Sequence, residues 1–221
     1  MESHRDRFLE PTPIIDADHP RVRKFARGAA GSSAGARERG VALYYAVRDN
    51  IRYDPYAIEL DAAGFRASRT LAAGRGWCVP KAVLLVASCR SLGIPARLGF
   101  ADVRNHLSTV RMRRLMRTDV FYWHGYAELL LEGRWVKATP AFNLELCEKF
   151  RLHPLEFDGQ SDSIYHPFDL EGKRHMEYLN DRGWYSDVPI TEMLATFEHE
   201  YPGVYEALAS ASFERDVEGA G

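Results

Sequence analysis

Residues 74–97, GRGWCVPKAVLLVASCRSLGIPAR, form the most informative segment of the chain. Their apolar positions make one broad face between the first glycines and Gly93-Ile94-Pro95, which predicts a buried helix from Cys78 to about Leu92. Pro80 fits the first turn of such a helix, where its missing N–H costs no hydrogen bond. Cys78 would therefore stand at a helix N-terminus, where backbone N–H groups and the helix dipole stabilise a thiolate.

The segments around this helix predict helices on its N-terminal side and strands on its C-terminal side. Upstream, apolar spacing predicts a helix opened by Pro20, a second helix ending near Asn50, and a third over Ala67 to Ala73. Downstream, the pattern predicts strands over Ala96 to Val103, Phe121 to Leu131 and Arg134 to Ala138, and helices over Ser108 to Met116, Asn143 to Phe150 and Thr191 to Glu200. The remainder of the last third is expected to be irregular. Helices followed by antiparallel strands indicate an α+β fold.

We interpret residues 1–150 as a core with a helical lead-in, and residues 151–221 as an irregular extension packed on it within a single compact domain. The extension is rich in aromatic, histidine and acidic residues, notably Asp162 to Asp169 and His175 to Tyr178. It either forms a lid that walls the Cys78 site and contacts the substrate, or is a packed tail whose polar residues satisfy its own turns.

Composition limits the classes of function. The 221 residues are 46% hydrophobic and 27% charged, which suits a globular chain with a sizeable core. The net charge of −2 lacks the basic excess of nucleic-acid-binding proteins. No apolar run is long enough to cross a bilayer, and the N-terminal MESHRDRFLEPTP lacks the apolar segment of a secretory signal. Three cysteines in such a chain predict reduced thiols in a cytoplasmic protein, with no nucleic-acid or membrane partner.

Cys78 and His124 are the candidate catalytic pair. A cysteine nucleophile needs a base, and His124 lies in a predicted strand whose alternation places it on the same face as Tyr126. The alternative for Cys78 is a small buried residue of the core, which is the interpretation we accept for Cys89 and Cys147. A lone histidine in a strand is likewise more often a core or surface residue than a catalyst.

The order of several motifs resembles the transglutaminase-like superfamily, a branch of the papain-type thiol enzymes, over roughly residues 51–143. The motifs are Gly76-Trp77-Cys78, Lys81-Ala82, Gly93-Ile94-Pro95-Ala96-Arg97, His124 with its aromatic flank, and Trp135-Val136-Lys137-Ala138-Thr139-Pro140. The resemblance implies a papain-like core in which a cysteine-bearing buried helix packs on an antiparallel sheet. It also implies that Cys78 is the nucleophile and His124 the general base of acyl transfer at an amide. Enzymes of this family include protein cross-linkers, amidases and peptidases, whereas other members are binding scaffolds.

One position departs from the family pattern. The family's triad ends in an Asp just before the proline of the hairpin's second strand, and this chain has Thr139 there. A Thr hydroxyl can accept one N–H bond from the imidazole and fix its tautomer, but it carries no charge. Asn143, Asp54 or Asp102 could fill the role instead, or the protein could be a degenerate, non-hydrolytic member. We expect a Cys-His pair with Thr139 as its neutral orienter.

Four further residues are candidates for substrate contact. Trp77 precedes the nucleophile, and Asn105 follows the strand after the Cys78 helix. His166 and Asp169 belong to the C-terminal extension, where a lid would meet the substrate.

Two other clusters receive no catalytic role. A metal site built from His153, His166, His175 and Asp169 lacks the close ligand spacing of a known motif, so we expect neither metal nor cofactor. The basic cluster over 111–117 is expected to be a solvated helix face, with an anionic partner surface as the alternative.

The sequence therefore predicts a thiol-dependent enzyme that attacks an amide or related carbonyl of a small-molecule or peptide substrate, most simply a hydrolase. His124 would take the thiol proton to give a thiolate–imidazolium pair. The alternatives are an acyltransferase or cyclase acting on a small metabolite, and a catalytically silent binding module. The sequence leaves the oligomeric state open.

Overall fold

The computed structural model describes residues 6–106, 108–164, 168–209 and 211–218, which contain nine helices and six strands. The helices are α1 (Pro20–Ala30), α2 (Ala36–Asn50), α3 (Ala67–Ala73), α4 (Cys78–Ser91), α5 (Val110–Met116), α6 (Leu144–Phe150), α7 (Ile190–Glu200), α8 (Val204–Ala209) and α9 (Phe213–Glu218). The strands are β1 (Arg52–Tyr53), β2 (Arg75–Gly76), β3 (Ala96–Asn105), β4 (Val120–Leu131), β5 (Arg134–Ala138) and β6 (Met176–Tyr185). None of the helices in these ranges has the length and apolar character needed to cross a bilayer.

Four strands make one antiparallel sheet in the order β5-β4-β3-β6. The long strands β3 and β4 form its centre, with Ala101 opposite His124. The short strands β1 and β2 form a separate parallel pair, with Tyr53 beside Gly76, directly before α4. The sheet therefore places His124 in a central strand, and the parallel pair leads the chain to Cys78.

Helix α4 lies in the middle of the core. Every residue from Cys78 to Arg90 is buried, and the helix packs on β4 as well as on α1, α2 and α3. The contact with β4 is close at Gly125, where an added Cβ atom would come within 2.8 Å of the Val79 side chain. A residue without a Cβ is needed for this approach, which brings the first turn of α4 against the strand that carries His124.

Two buried basic side chains hold α4 at its two ends. Lys81 is fully buried, and its Nζ donates to the backbone carbonyls of Arg48, at 2.9 Å, and Ile51. Burial lowers the pKa of Lys81 well below its usual value. Near the other end, the Arg90 guanidinium donates to three backbone carbonyls at 2.7–3.0 Å, those of Ala96, Glu10 and Ser186. These hydrogen bonds hold the helix that carries Cys78 in place, and they satisfy backbone carbonyls that would otherwise lack a donor.

The predicted fold class is confirmed: a cysteine-bearing buried helix packs on an antiparallel sheet in an α+β chain. The predicted elements between Ala67 and Phe150 are present, and their observed bounds differ from the predicted ones by no more than two residues. These elements carry strong signals, because their apolar periodicity, glycines and prolines agree with one another.

The expectation of an irregular last third is wrong. Met176–Tyr185 is a ten-residue strand that pairs with β3, and two further helices, α8 and α9, follow α7. β6 is an edge strand whose residues 178–181 are exposed, so its apolar and polar residues do not alternate as they do in a half-buried strand.

Candidate active site

Cys78 and His124 line the same cavity, a space of about 60 Å³ bounded by the N-terminus of α4, strand β4 and the C-terminal helices. Cys78 is the first residue of α4. His124 lies on β4, next to the Gly125 that packs against α4. The structure thus brings together the two residues that the sequence pairs as nucleophile and base.

The thiol of Cys78 is buried, with only 6% of the residue exposed. Burial raises the pKa of Cys78 to about 11, although hydrogen bonds from the backbone N–H groups of Gly125 and Val79 to the sulfur act in the opposite direction. The effect of burial on the pKa of this thiol is therefore larger than that of the N–H groups around it.

The imidazole of His124 is also buried in its uncharged form. The pKa of His124 is lowered to about 4, mainly by burial and to a smaller extent by the neighbouring His175. Burial therefore favours the uncharged form of both the thiol and the imidazole. The thiolate–imidazolium pair that the sequence led us to expect stays a prediction, and its formation has to overcome this effect of burial.

The backbone directly before His124 is strained. Trp123 has a left-handed φ of 60°, and the pairing of β4 with β3 shifts register at this point. The Asp102 carboxylate accepts the Trp123 backbone N–H at 3.2 Å and pairs with Arg182 at 2.6 Å. The Arg182 guanidinium in turn lies over the Trp123 ring, 4.3 Å from its centre. Asp102, considered from the sequence as a partner of the imidazole, instead holds the backbone that leads into His124.

Thr139 is buried directly after β5, and other segments of the chain form hydrogen bonds with its backbone. Its N–H donates to the Ser163 carbonyl at 3.1 Å, and its carbonyl accepts the Tyr44 hydroxyl at 3.3 Å. Its hydroxyl oxygen makes no hydrogen bond to any described residue. The expected hydrogen bond from the His124 ring to this hydroxyl is therefore not formed in the structure.

The other two alternatives, Asn143 and Asp54, have partners next to the cavity. The Asn143 side-chain oxygen accepts the Tyr53 backbone N–H at 3.0 Å. Asp54 accepts the Tyr56 backbone N–H at 3.0 Å and pairs with Arg75 at 3.2 Å. Both therefore shape the segment after β1, whose Tyr53 ring lines the cavity.

The four candidates for substrate contact lie in different places. Trp77 and Asn105 line the cavity, so their contact with a substrate stays a prediction. Asp169 accepts two backbone N–H groups of its own exposed turn at 2.9 Å, and it is not among the described residues that line the cavity. His166 lies outside the described residues.

Two side chains near the pair had no catalytic assignment from the sequence. His175 is buried, stacks on the Phe142 ring at a centroid distance of 6.1 Å, and contributes to the low pKa of His124. Burial raises the pKa of Tyr205, and Cys78 contributes to this shift. Both residues belong to the C-terminal extension, and the density of aromatic and histidine residues there was the only signal in the sequence.

The C-terminal extension covers the cavity with side chains of α7 and α8. Tyr201, at the end of α7, donates its hydroxyl to the Val120 carbonyl at 2.7 Å and accepts the Tyr122 backbone N–H at 2.8 Å. The Trp123 indole donates to Thr196 of α7 at 2.9 Å. The cover is thus tied by hydrogen bonds to the strand that carries His124.

The clusters without a catalytic role lie as follows. Across the described ranges, no three His, Cys, Asp or Glu side chains are grouped so that they could hold a metal ion. The basic cluster belongs to α5, where Arg111 pairs with Asp216 at 2.7 Å. The same helix turns Met112 and Met116 toward the cavity.

Comparison with known proteins gives a family and two solved structures. The model of the transglutaminase-like superfamily matches residues 23–140, which is just over half of the chain. No curated protein matches. A candidate cysteine protease from Cytophaga hutchinsonii matches with a TM-score of 0.52 and 21% identity, over 85% of this chain and 48% of that one. A candidate protease from Parabacteroides distasonis matches with a TM-score of 0.38 and 16% identity, over 53% of this chain and 22% of that one.

This chain therefore spans about half the length of the Cytophaga protein. At 21% identity the likeness is one of fold.

Proposed function

Because the chain belongs to the transglutaminase-like superfamily, we propose that it is a thiol-dependent enzyme in which Cys78 attacks an acyl carbonyl and His124 moves the proton. The observation that carries this proposal is the shared cavity. A cysteine at the first position of a buried helix and a histidine on the facing strand line one enclosed space. A nucleophile beside its base is what covalent catalysis by a thiol requires.

The proposed reaction starts from the neutral pair. With a pKa of about 4, His124 is unprotonated at neutral pH and can accept the thiol proton as the sulfur bonds to the carbonyl carbon. The carbonyl electrons move to oxygen, and the backbone N–H of Cys78 at the start of α4 is one donor for this oxyanion. The imidazolium then gives its proton to the leaving group as the bond to carbon breaks. Water, deprotonated by His124 in the same way, releases the acid from acyl-Cys78.

The uncharged resting state supports an activated acyl donor, an ester or thioester, in preference to a peptide amide. Proton transfer from a thiol of pKa about 11 to an imidazole of pKa about 4 is uphill in the closed site. Thr139 places no carboxylate at the family's Asp position to stabilise the imidazolium. A good leaving group lowers the activation barrier without help from a stabilised imidazolium.

Hydrolysis is the simplest fate of acyl-Cys78, and transfer to an amine or cyclisation is the alternative. These reactions differ in the group that attacks the acyl-enzyme, which is water, an amine or a nucleophile of the acyl group itself. Mass analysis of the products, with and without an added small amine, distinguishes the two fates.

A catalytically silent binding module is the competing class of function. The observation that favours it is Thr139, whose hydroxyl hydrogen-bonds to no residue that the structure describes and whose position holds the third member of the family's triad.

Turnover of an activated ester such as p-nitrophenyl acetate tests the proposal. We expect Cys78→Ala and His124→Ala each to lower kcat/KM roughly a hundredfold or more, because each removes one half of the pair. The matched control is Cys89→Ala, on the same helix but fully buried and outside the cavity wall, and it should keep the wild-type rate. Wild-type turnover no faster than that of the Cys78→Ala variant would show a silent module.

A further inference from the structure

The wall of the Cys78 cavity is mostly apolar in the part that the structure describes. The described residues that line it include no Asp, Glu, Lys or Arg. Besides the catalytic pair, the polar groups of this wall are the Asn105 amide, the Trp77 indole and tyrosine hydroxyls. The nearby ion pairs, such as Asp102 with Arg182, are satisfied by each other and not by groups in the cavity.

From this wall and from its size we infer that the site takes a short, uncharged, aliphatic acyl group of the acetyl-to-butyryl class. The inference rests on the proposed function, because it names the acyl group that Cys78 accepts.

The lack of a charged side chain among the described wall residues disfavours a charged acyl chain. A carboxylate or ammonium group that enters an apolar cavity loses its hydration, and it needs a counter-charge or several hydrogen bonds in return. The described wall offers no counter-charge. An uncharged chain has no such penalty and gains from leaving water.

The size of the cavity limits the length of the chain. Its volume is about 60 Å³. An apolar cavity of about 150 Å³ in another protein accepts a benzene molecule, so this cavity holds fewer atoms than a benzene ring. A chain of a few carbons is the class that fits without displacing the helices that cover the site.

The methionines of the wall suit a flexible aliphatic guest. Met112 and Met116 come from α5, and Met176 from the start of β6. Methionine side chains are unbranched and polarisable, so they adapt to a small apolar group by changing rotamer. Met116 is 7% exposed and belongs to the wall, which makes it a position where the cavity can be enlarged.

A matched series of p-nitrophenyl esters tests the inference. The acyl groups are butyryl, succinyl, which has the same number of carbons but ends in a carboxylate, and octanoyl. The rate of Cys78 acylation is measured for each by the nitrophenol burst and by intact-protein mass, and is divided by the rate with free cysteine. We expect butyryl to react about a hundredfold faster than succinyl and about tenfold faster than octanoyl. A succinyl rate within about tenfold of the butyryl rate, or an octanoyl rate above it, overturns the inference.

Two methionine variants test whether this cavity sets the preference. Met116→Ala removes side-chain atoms from the wall, which enlarges the cavity, and should raise the octanoyl-to-butyryl rate ratio about tenfold. Met193→Ala removes the same atoms from a fully buried residue of α7 that is not among the described residues of the wall, and it should leave the ratio unchanged. Because the readout is a ratio, a loss of folded protein affects both rates equally. Equal ratios in the two variants would place the acyl group elsewhere.

The series also separates this inference from the proposed function. Acylation of Cys78 by all three esters without preference leaves the thiol enzyme standing and overturns only the acyl class. Absence of acylation of Cys78 by any ester overturns both.

Discussion

Cys78 is subject to two opposing influences on its pKa. Hydrogen bonds from the backbone N–H groups of Gly125 and Val79 favour the thiolate, whereas burial favours the thiol and dominates, so that the pKa rises to about 11. His124 shows the same dominance of burial, with a pKa lowered to about 4. Burial therefore favours the uncharged form of both groups.

The pH dependence of alkylation follows from this balance. Below a pKa of about 11 the thiolate fraction of Cys78 increases with pH, so iodoacetamide should react slowly at neutral pH. Its rate should rise about tenfold per unit between about pH 7 and pH 10. Peptide mass spectrometry gives the rate for each cysteine, and the fully buried Cys89 should stay unmodified. A rate that is already high and constant over this range would mean that the resting pair is ionised.

Thr139 gives a second prediction for a single residue. Its buried hydroxyl oxygen makes no hydrogen bond to a described residue, so Thr139→Val keeps the shape and removes a polar atom that costs stability. We expect unfolding free energy to rise by about 1 kcal/mol and kcat to change less than about threefold. Urea unfolding and ester turnover measure the two quantities. A loss of kcat of about tenfold or more would show that the hydroxyl does orient His124.

At the scale of the element, strand β4 owes its local shape to the bulge before His124. Left-handed φ at a tryptophan costs on the order of 1–3 kcal/mol and persists only where the surroundings hold it. Here the Asp102 carboxylate accepts the Trp123 N–H while the Arg182 guanidinium lies over the ring. The bulge therefore affects the face of the sheet on which the His124 side chain lies, since a shift in register changes which face a residue occupies.

Removal of the Asp102 carboxylate tests this connection. Asp102→Ala leaves the Trp123 N–H and the Arg182 guanidinium without their acceptor. It should lower the unfolding free energy by about 2–3 kcal/mol and kcat by roughly tenfold or more. The control is Asp119→Ala, which breaks a surface pair with Arg104 and should change the unfolding free energy by less than about 1 kcal/mol. Equal effects of the two substitutions would refute the role of Asp102.

The elements that the sequence predicts are those whose signals agree with one another. Helix α4 combines apolar periodicity, an early proline and a terminal Gly-Ile-Pro, and its bounds are predicted to within a residue. β6 could not be predicted in this way, because an exposed edge strand needs no apolar alternation and its pairing with β3 depends on residues 71 to 87 positions away in sequence.

The same contrast holds for the site. That Cys78 and His124 line one cavity could be expected, because both lie in motifs of the family core. The proximity of His175 to His124 and of Tyr205 to Cys78 could not be predicted, since it depends on how the C-terminal extension folds over the sheet. The bulge at Trp123 depends on a long-range hydrogen bond, which no local pattern reveals.

For the molecule as a whole, the C-terminal extension contributes to the wall of the Cys78 cavity. Side chains of α7 and α8 line the cavity, and Tyr201 ties this cover to β4 by two hydrogen bonds to backbone groups. We therefore expect access to the cavity to depend on local opening of this cover, which its hydrogen bonds to β4 restrain.

Tyr201→Phe tests the cover. The substitution removes the hydroxyl bonded to the Val120 carbonyl and the Tyr122 N–H, so the unfolding free energy should fall by about 1–2 kcal/mol. Alkylation of Cys78 at a fixed alkaline pH should become roughly fivefold faster, because the cover opens more often. Tyr45→Phe, which removes a hydroxyl that donates to Glu156 on the surface, is the control and should leave the rate unchanged. Unchanged alkylation in both variants would mean that Tyr201 does not restrain access.

The central claim is that Cys78 carries the acyl group and His124 moves the proton. It is tested most directly by acid-quenching the protein during reaction with p-nitrophenyl acetate and mapping the acetyl group by peptide mass spectrometry. We predict one acetyl group, on Cys78, and acetylation of His124→Ala that is slower by roughly a hundredfold at neutral pH. An acetyl group on another residue, or equal acetylation rates in the wild-type protein and the His124→Ala variant, would contradict the account.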